Sequence, residues 1–248
     1  MYRILVTSLS LIIFSNVAVH AQNADQIVSH LIQALGGKEK LQSINSLYQE
    51  GTCVMANGSE VKMRIWRVFD RLYRQEIDYG VGNVVVIVTP RQGWISSPRT
   101  GGVFKALEAE QLKALQTEID PAGVFIDYNQ KGNKIEKIGV DTLDGRPCFK
   151  LRVWFPNHES ILYWVDRQSW YLRKEERHGG GIVGGGGSSG GWNGNVDGMV
   201  QIGLDDWRAI PGGYVLPYAV TIGGLGKVTI TKVQVNGTVN VDALSKPR

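Results

Sequence analysis

Chemistry-bearing residues are scarce in this 248-residue chain, which holds 2 cysteines and 4 histidines. Neither a CxxC nor an HxxxH spacing occurs, so the sequence offers no zinc site. His30, His158 and His178 are scattered, and the acids that come in pairs, Glu175-Glu176 and Asp205-Asp206, are immediate neighbours. Adjacent residues on a strand point to opposite faces, so neither pair forms a carboxylate dyad. The expectation is a protein that is not an enzyme and uses no cofactor. A charge excess is lacking too, with 27 Lys+Arg against 23 Asp+Glu. Arg173-Lys174-Glu175-Glu176-Arg177 mixes the two signs, which argues against a basic stripe for nucleic acid. Long apolar runs are confined to Ile4–Val19, shorter than the roughly 20 residues of a spanning helix.

That run follows Tyr2-Arg3 and leads into Val19-His20-Ala21, with small residues where a signal peptidase inspects the chain, and then polar Gln22–Gln26. Residues 1–21 are therefore expected to be a cleaved secretory signal, cut after Ala21. The remaining domain, 22–248, loses only Arg3 among its charges, leaving 27 − 1 = 26 basic residues against 23 acidic ones. All-β domains of this size are commonly undivided. Cys53 and Cys148 could pair in an oxidising compartment. Each also lies in an apolar strand-like run, where a free thiol behaves as a small hydrophobe.

Helical spacing is limited. Ala24–Leu35 puts Ile27, Leu31, Ile32 and Leu35 on one face, and Gly36-Gly37 stops that helix. Lys38–Ile44 suggests a second short turn. A middle helix is expected over Lys105–Thr117, with Leu107, Gln111, Leu112 and Leu115 on one side, and a further short one from Pro121 to Tyr128. Elsewhere the period is two. Val61, Met63 and Ile65 alternate with Lys62 and Arg64, Phe149, Leu151 and Val153 with Lys150 and Arg152, Ile161, Tyr163 and Val165 with Leu162 and Trp164, and Val228 and Ile230 with Thr229 and Thr231. Turn chemistry separates these runs at Ala56-Asn57-Gly58, Leu143-Asp144-Gly145, Pro156-Asn157, Asp166–Ser169 and Pro211-Gly212-Gly213. The pattern predicts an antiparallel meander. Val84–Val88 is apolar on both faces and must be covered on both; the helix around 105–117 is the expected cover. Trp66, Trp154 and Trp164 fall on the charged face, where aromatics commonly shield lysine and arginine stems.

Gly179–Gly198 contains 11 of the 31 glycines. No Lys-Ser/Thr and helix follow it, as a phosphate loop would require, and so costly a segment to order is expected to be a flexible hairpin loop.

Several stretches resemble one family. Ala24-Asp25-Gln26-Ile27-Val28, Ala34–Leu41 and Ile44–Leu47 leading into Gly51–Met55 are similar to the opening of outer-membrane lipoprotein-sorting proteins of the LolA-like superfamily, of the type frequent in Bacteroidota. Asp144-Gly145-Arg146-Pro147-Cys148-Phe149-Lys150-Leu151 resembles their DG-x-P-C-(aromatic)-K-L strand. Tyr163–Asp166 and Gly212–Pro217 resemble later strands, and Val233–Asn236 through Pro247 the tail. The glycine insert departs from the pattern. The resemblance implies a mainly β fold, a half-open antiparallel β-barrel with a helical lid. It also implies a periplasmic carrier or sensor whose apolar cavity takes acyl chains of lipoproteins or lipids, with an envelope membrane protein as a further partner. Each buried CH₂ contributes about 0.8 kcal/mol to such binding. The cavity candidates are Met63, Ile65, Val86, Val88, Phe149, Leu151, Val153, Ile161, Tyr163 and Val165, with Leu112 and Leu115 on the lid. The same apolar faces could instead make a filled core, and an interaction module of this fold without lipid cargo is the alternative.

Overall fold

The computed structural model describes residues 23–178 and 199–247; the expected signal, its cleavage site and the glycine-rich loop lie outside them. The chain runs as two meanders. The first holds β1 (Ser46–Met55), β2 (Glu60–Val68), β3 (Leu72–Asp78), β4 (Asn83–Val88), β5 (Gly93–Ser96) and β6 (Lys105–Ala106). The second holds β7 (Lys134–Leu143), β8 (Arg146–Trp154), β9 (Ser160–Asp166), β10 (Leu172–His178), β11 (Met199–Ala209), β12 (Val215–Ile222) and β13 (Gly226–Val235). Antiparallel pairing of β13 with β1 joins them into one 13-stranded sheet, ordered β6-β5-β4-β3-β2-β1-β13-β12-β11-β10-β9-β8-β7. Among the described residues the sheet stays open between β6 and β7. It is a mainly β, half-open antiparallel barrel with helices at its opening.

The turns follow from the residues named in the sequence. Asp144 and Gly145 both take positive φ, 50° and 75°, in the two-residue hairpin of β7 and β8, the backbone that Asp-Gly favours. The helix α1 (Ala24–Ala34) opens with a capping box between Asn23 and Gln26. It ends at Gly36, whose φ of 119° suits glycine and where a Cβ would stand 2.4 Å from the Gly213 carbonyl oxygen. A short α2 (Lys38–Gln42) follows.

Two expected helices change. Lys105 and Ala106 are strand, because they pair with Ile95 and Trp94 at the edge of β5. The helix α3 starts only after Glu108 and spans Ala109–Gln116, with the Gln111 side chain accepting from the Glu108 amide at 3.2 Å. Pro121–Tyr128 is a run of turns. Gly123 (φ 82°) and Asp127 (φ 49°) are left-handed there, a conformation that does not propagate a right-handed helix.

Core packing divides by face. Both faces of β4 are covered. Val86 and Val88 lie under α3 residues, whereas Ile87 and Val85 meet Val239, Val241 and Leu244 of the tail. The tail contains a further helix, α4 (Val241–Leu244), that the sequence reading missed. Outside the sheet, Trp164 is 3% exposed between the Lys150 and Lys174 ammonium groups, each 4.6 Å from its ring, and its indole N–H donates to Asp141 at 2.9 Å. Arg64 lies over Trp66 and Arg152 over Trp154, so these aromatics shield cationic stems as expected. Both cysteines are free and buried. Cys53 on β1 belongs to an interior cluster, and five strands separate β1 from β8, which carries Cys148. No disulfide joins them.

Candidate functional site

The inner face of the sheet is built from alternate residues of each strand. Met63 and Ile65 of β2 continue in register onto Gly51 and Gln49 of β1 and onto Ile77 and Gln75 of β3. Phe149, Leu151 and Val153 of β8 stand opposite Val165, Tyr163 and Ile161 of β9. These two groups line different walls. Phe149, Leu151, Val153, Ile161, Tyr163 and Val165 form one cluster with Ile27, Val28 and Leu31 of α1 and with Phe125. On the other wall Val86 and Val88 pack with Tyr73, Leu107, Leu115 and Ile119, and Ile65 and Leu112 flank them. Met63 belongs to a third group with Cys53, Val61, Ile77 and Val228. The twelve candidate positions are therefore split between two walls and a junction, and ten of them are buried; Ile65 and Leu112 are half-buried. In this closed state the inward positions on both walls are covered by the chain's own side chains, among them those of α1 and of 107–133. Two cavities near the surface, of about 210 and 300 Å³, are lined by other residues, including Tyr48 and Trp66 in one and Ile44, Phe69 and Ile126 in the other.

The segment 107–133, between the two free edges, closes the barrel. It contributes Leu115 and Ile119 to one wall, Phe125 to the other, and Ile126 to the group around Leu41 and Ile44. The Leu107 amide donates to the Gly93 carbonyl at 2.9 Å, and the side chains of Gln116 and Asn157 reach across to Pro90 and Lys113 carbonyls. Lys38 and Gln42 of α2 hold Asp127.

Between the walls this segment makes one strongly polar contact. Glu118, just past α3, places one carboxylate oxygen 2.6 Å from an Arg67 guanidinium nitrogen and the other 2.6 Å from one of Arg177. Arg67 also donates to Gln49 at 3.1 Å and lies over the Tyr73 ring, while Arg177 pairs with Glu175 at 3.1 Å. Four strands separate β2 from β10. At about 4.8 Å per strand spacing, Arg67 and Arg177 start roughly 24 Å apart along the sheet. Their meeting on one carboxylate records how tightly the sheet curls. Burial disfavours the charge on Glu118, but Arg177 and Arg67 outweigh it and bring its pKa down to about 2. Glu175 goes the other way: burial pushes it up, and the pull of Arg177 does not fully compensate.

The sequence analysis missed this cluster. The signal for Arg67 was present, since it falls two residues beyond Ile65 on the apolar face of β2. Glu175 and Arg177 likewise share the alternation of β10 that faces Tyr163 and Ile161. Glu118 had no periodic signal, because it belongs to no strand. Among the described residues no group of three His, Cys, Asp or Glu is arranged to hold a metal ion. His30 is stacked on Trp170 at 4.3 Å.

No family model and no curated protein matches the sequence. Solved structures do share its architecture. A DUF1329 family protein from Desulfovibrio piger superposes with a TM-score of 0.54 at 8% identity, covering 90% of this chain and 97% of its own. A LolA superfamily protein from Nitrosomonas europaea gives 0.53 at 10% identity over 91% and 99%. A provisionally assigned outer membrane lipoprotein-sorting protein domain from Vibrio parahaemolyticus gives 0.50 at 9% over 90% and 98%. At such identities the likeness bears on architecture alone, and the architecture of this chain is LolA-like.

Proposed function

We propose that the protein is an exported, periplasmic carrier or sensor that binds acyl chains of lipids or lipoproteins between the two walls of its open barrel, and that it performs no catalysis. The observation that carries this reading is the construction of the interior. Two apolar walls face one another, and the segment 107–133, not a strand, fills the gap between β6 and β7. Displacing that segment would exchange the apolar contacts of Leu115, Ile119 and Phe125 for contacts with a chain, at little net loss of buried apolar area. A binding site that opens in this way supports reversible release, which a carrier needs. The twelve positions named above then act as chain-contacting residues, and Leu112 and Leu115 move with the lid.

The test is native mass spectrometry of protein taken gently from its own host envelope, together with titration of a fluorescent fatty acid. Retained lipid or lipoprotein and saturable probe binding are expected. A clean unliganded mass and no probe uptake would favour the alternative, an envelope module that uses the packed barrel to bind a protein partner. The burial of ten of the twelve candidate positions in the closed state is what keeps that second reading in play.

A further inference from the structure

Two arginines between apolar walls are an expensive feature. Buried guanidinium groups need partners, and here the balance is even, with Arg67 and Arg177 against Glu118 and Glu175. The partners differ in their attachment. Arg67, Arg177 and Glu175 are fixed on β2 and β10 inside the sheet, while Glu118 rides on the closing segment. When that segment leaves, Glu118 leaves with it. The interior then holds two guanidinium groups and one carboxylate, an excess of one positive charge, beside the exposed walls. Each arginine keeps a second polar contact, to Gln49 or Glu175, so both stay oriented while their Glu118-facing nitrogens are free. Two converging guanidinium groups match the oxygens of a carboxylate or phosphate.

We propose that Arg67 and Arg177 form a headgroup site for an anionic amphiphile, a molecule with one carboxylate or phosphate and an apolar chain, and that Glu118 occupies that site in the closed state. This rests on the acyl-binding reading above and names the class of molecule it would accept. The anion takes the place of the Glu118 carboxylate, and the chain lies along Tyr163, Leu151 and Val86 on the walls to either side. A neutral amphiphile leaves one positive charge in excess and the Glu118-facing guanidinium nitrogens of Arg67 and Arg177 without an acceptor in an apolar surrounding, and is disfavoured.

The test compares laurate, dodecyl phosphate and dodecanol, which share a twelve-carbon chain, with acetate and inorganic phosphate, which have none, by calorimetric titration of the purified protein. Laurate and dodecyl phosphate are expected to bind at least about tenfold more tightly than dodecanol, the scale of a charge-assisted pair. Acetate and phosphate are expected not to bind measurably. Arg67→Gln and Arg177→Gln should abolish the preference for the anion. Glu118→Gln, which keeps both arginines and removes the competing carboxylate, should strengthen laurate binding more than dodecanol binding. If either arginine variant fails to fold, Glu118→Gln alone decides. Equal binding of acid and alcohol by the wild type and by Glu118→Gln would overturn the headgroup site while leaving acyl binding intact. Binding of inorganic phosphate as tight as that of dodecyl phosphate would overturn it in favour of a small-anion site. No binding of any twelve-carbon probe by either protein would remove both readings together.

Discussion

Glu118 and its two arginines make acid sensitivity a property of a few atoms. Its carboxyl is held at about 2, below its usual 4.5. A carboxyl held below its unfolded value stabilises the fold above about pH 4.5 and gives up that contribution as the pH falls toward 2. Glu175 acts oppositely. With its pKa raised, its charge costs stability at neutral pH, and its protonation on acidification offsets part of the loss. Tyr73 and Tyr163, the other titrating neighbours, stay neutral throughout this range because burial raises both. The melting temperature is expected to drop between about pH 4.5 and 2. Glu118→Gln should melt lower at pH 7 but show a shallower acid slope; an unchanged slope would place the acid sensitivity elsewhere. Gly36→Ala tests the backbone in the same way. With φ at 119° and the Gly213 carbonyl oxygen 2.4 Å from the new Cβ, a loss of about 1–3 kcal/mol is expected in denaturant unfolding, and a neutral result would contradict the close approach. At this scale the sequence was readable where a residue's neighbours in the chain decide its role, as at Asp144-Gly145. Arg67 was not read, because its meaning comes from Glu118, 51 residues away.

Strands were the most legible elements, since alternation on β2, β8 and β13 specifies both the strand and its inward face. The middle helix was misjudged at its start because helical spacing over 105–108 competes with an open strand edge at β5, and the backbone hydrogen bonds of that edge win. The cover on the outer side of β4 escaped notice for another reason: Val241 and Leu244 sit in a four-residue helix, too short to show a period. Their role can be measured. Removing residues 239–248 should expose Leu72, Val85 and Ile87 and cost about 2–5 kcal/mol, the range for losing one or two large buried side chains. Full stability after truncation would mean that the tail only rests on the sheet. Leu151→Trp probes the inner wall. Leu151 is 0% exposed beneath α1, so overpacking should cost about 1–3 kcal/mol in the closed protein. A variant as stable as the wild type would indicate room at this wall.

Across the whole molecule, stability should be unequal. β1 and β13 lie at the centre of the sheet, whereas 107–133 lies between its two free edges and packs on it through side chains such as Leu115, Ile119 and Phe125. Amides of 109–133 are expected to exchange with solvent at least about 100-fold faster than those of β1 and β13. Uniform protection would mean that the barrel opens only by global unfolding, and would count against a mobile lid. The exposed edge at β7 is guarded against pairing with other chains by Lys134, Glu136, Lys137 and Asp141 and by the irregularity between Lys137 and Gly139. The likeness to the LolA architecture was legible because it rests on the order of strands and turns. The division of the interior into two walls with a charged junction was not, since it depends on how far the sheet curls.

The pairing of β1 with β13 also sets a clock. Leu47 faces Val235 across this seam, so the edge of β1 has no partner until nearly the whole chain exists. At roughly 5–20 residues per second, the 188 residues from 48 to 235 (235 − 47) take on the order of 10–40 s to synthesise. Throughout that interval the first meander presents a long unpaired edge and one bare inner wall. Whatever accompanies the nascent chain must mask β1 for tens of seconds, and premature release at that stage is the point at which aggregation is to be expected.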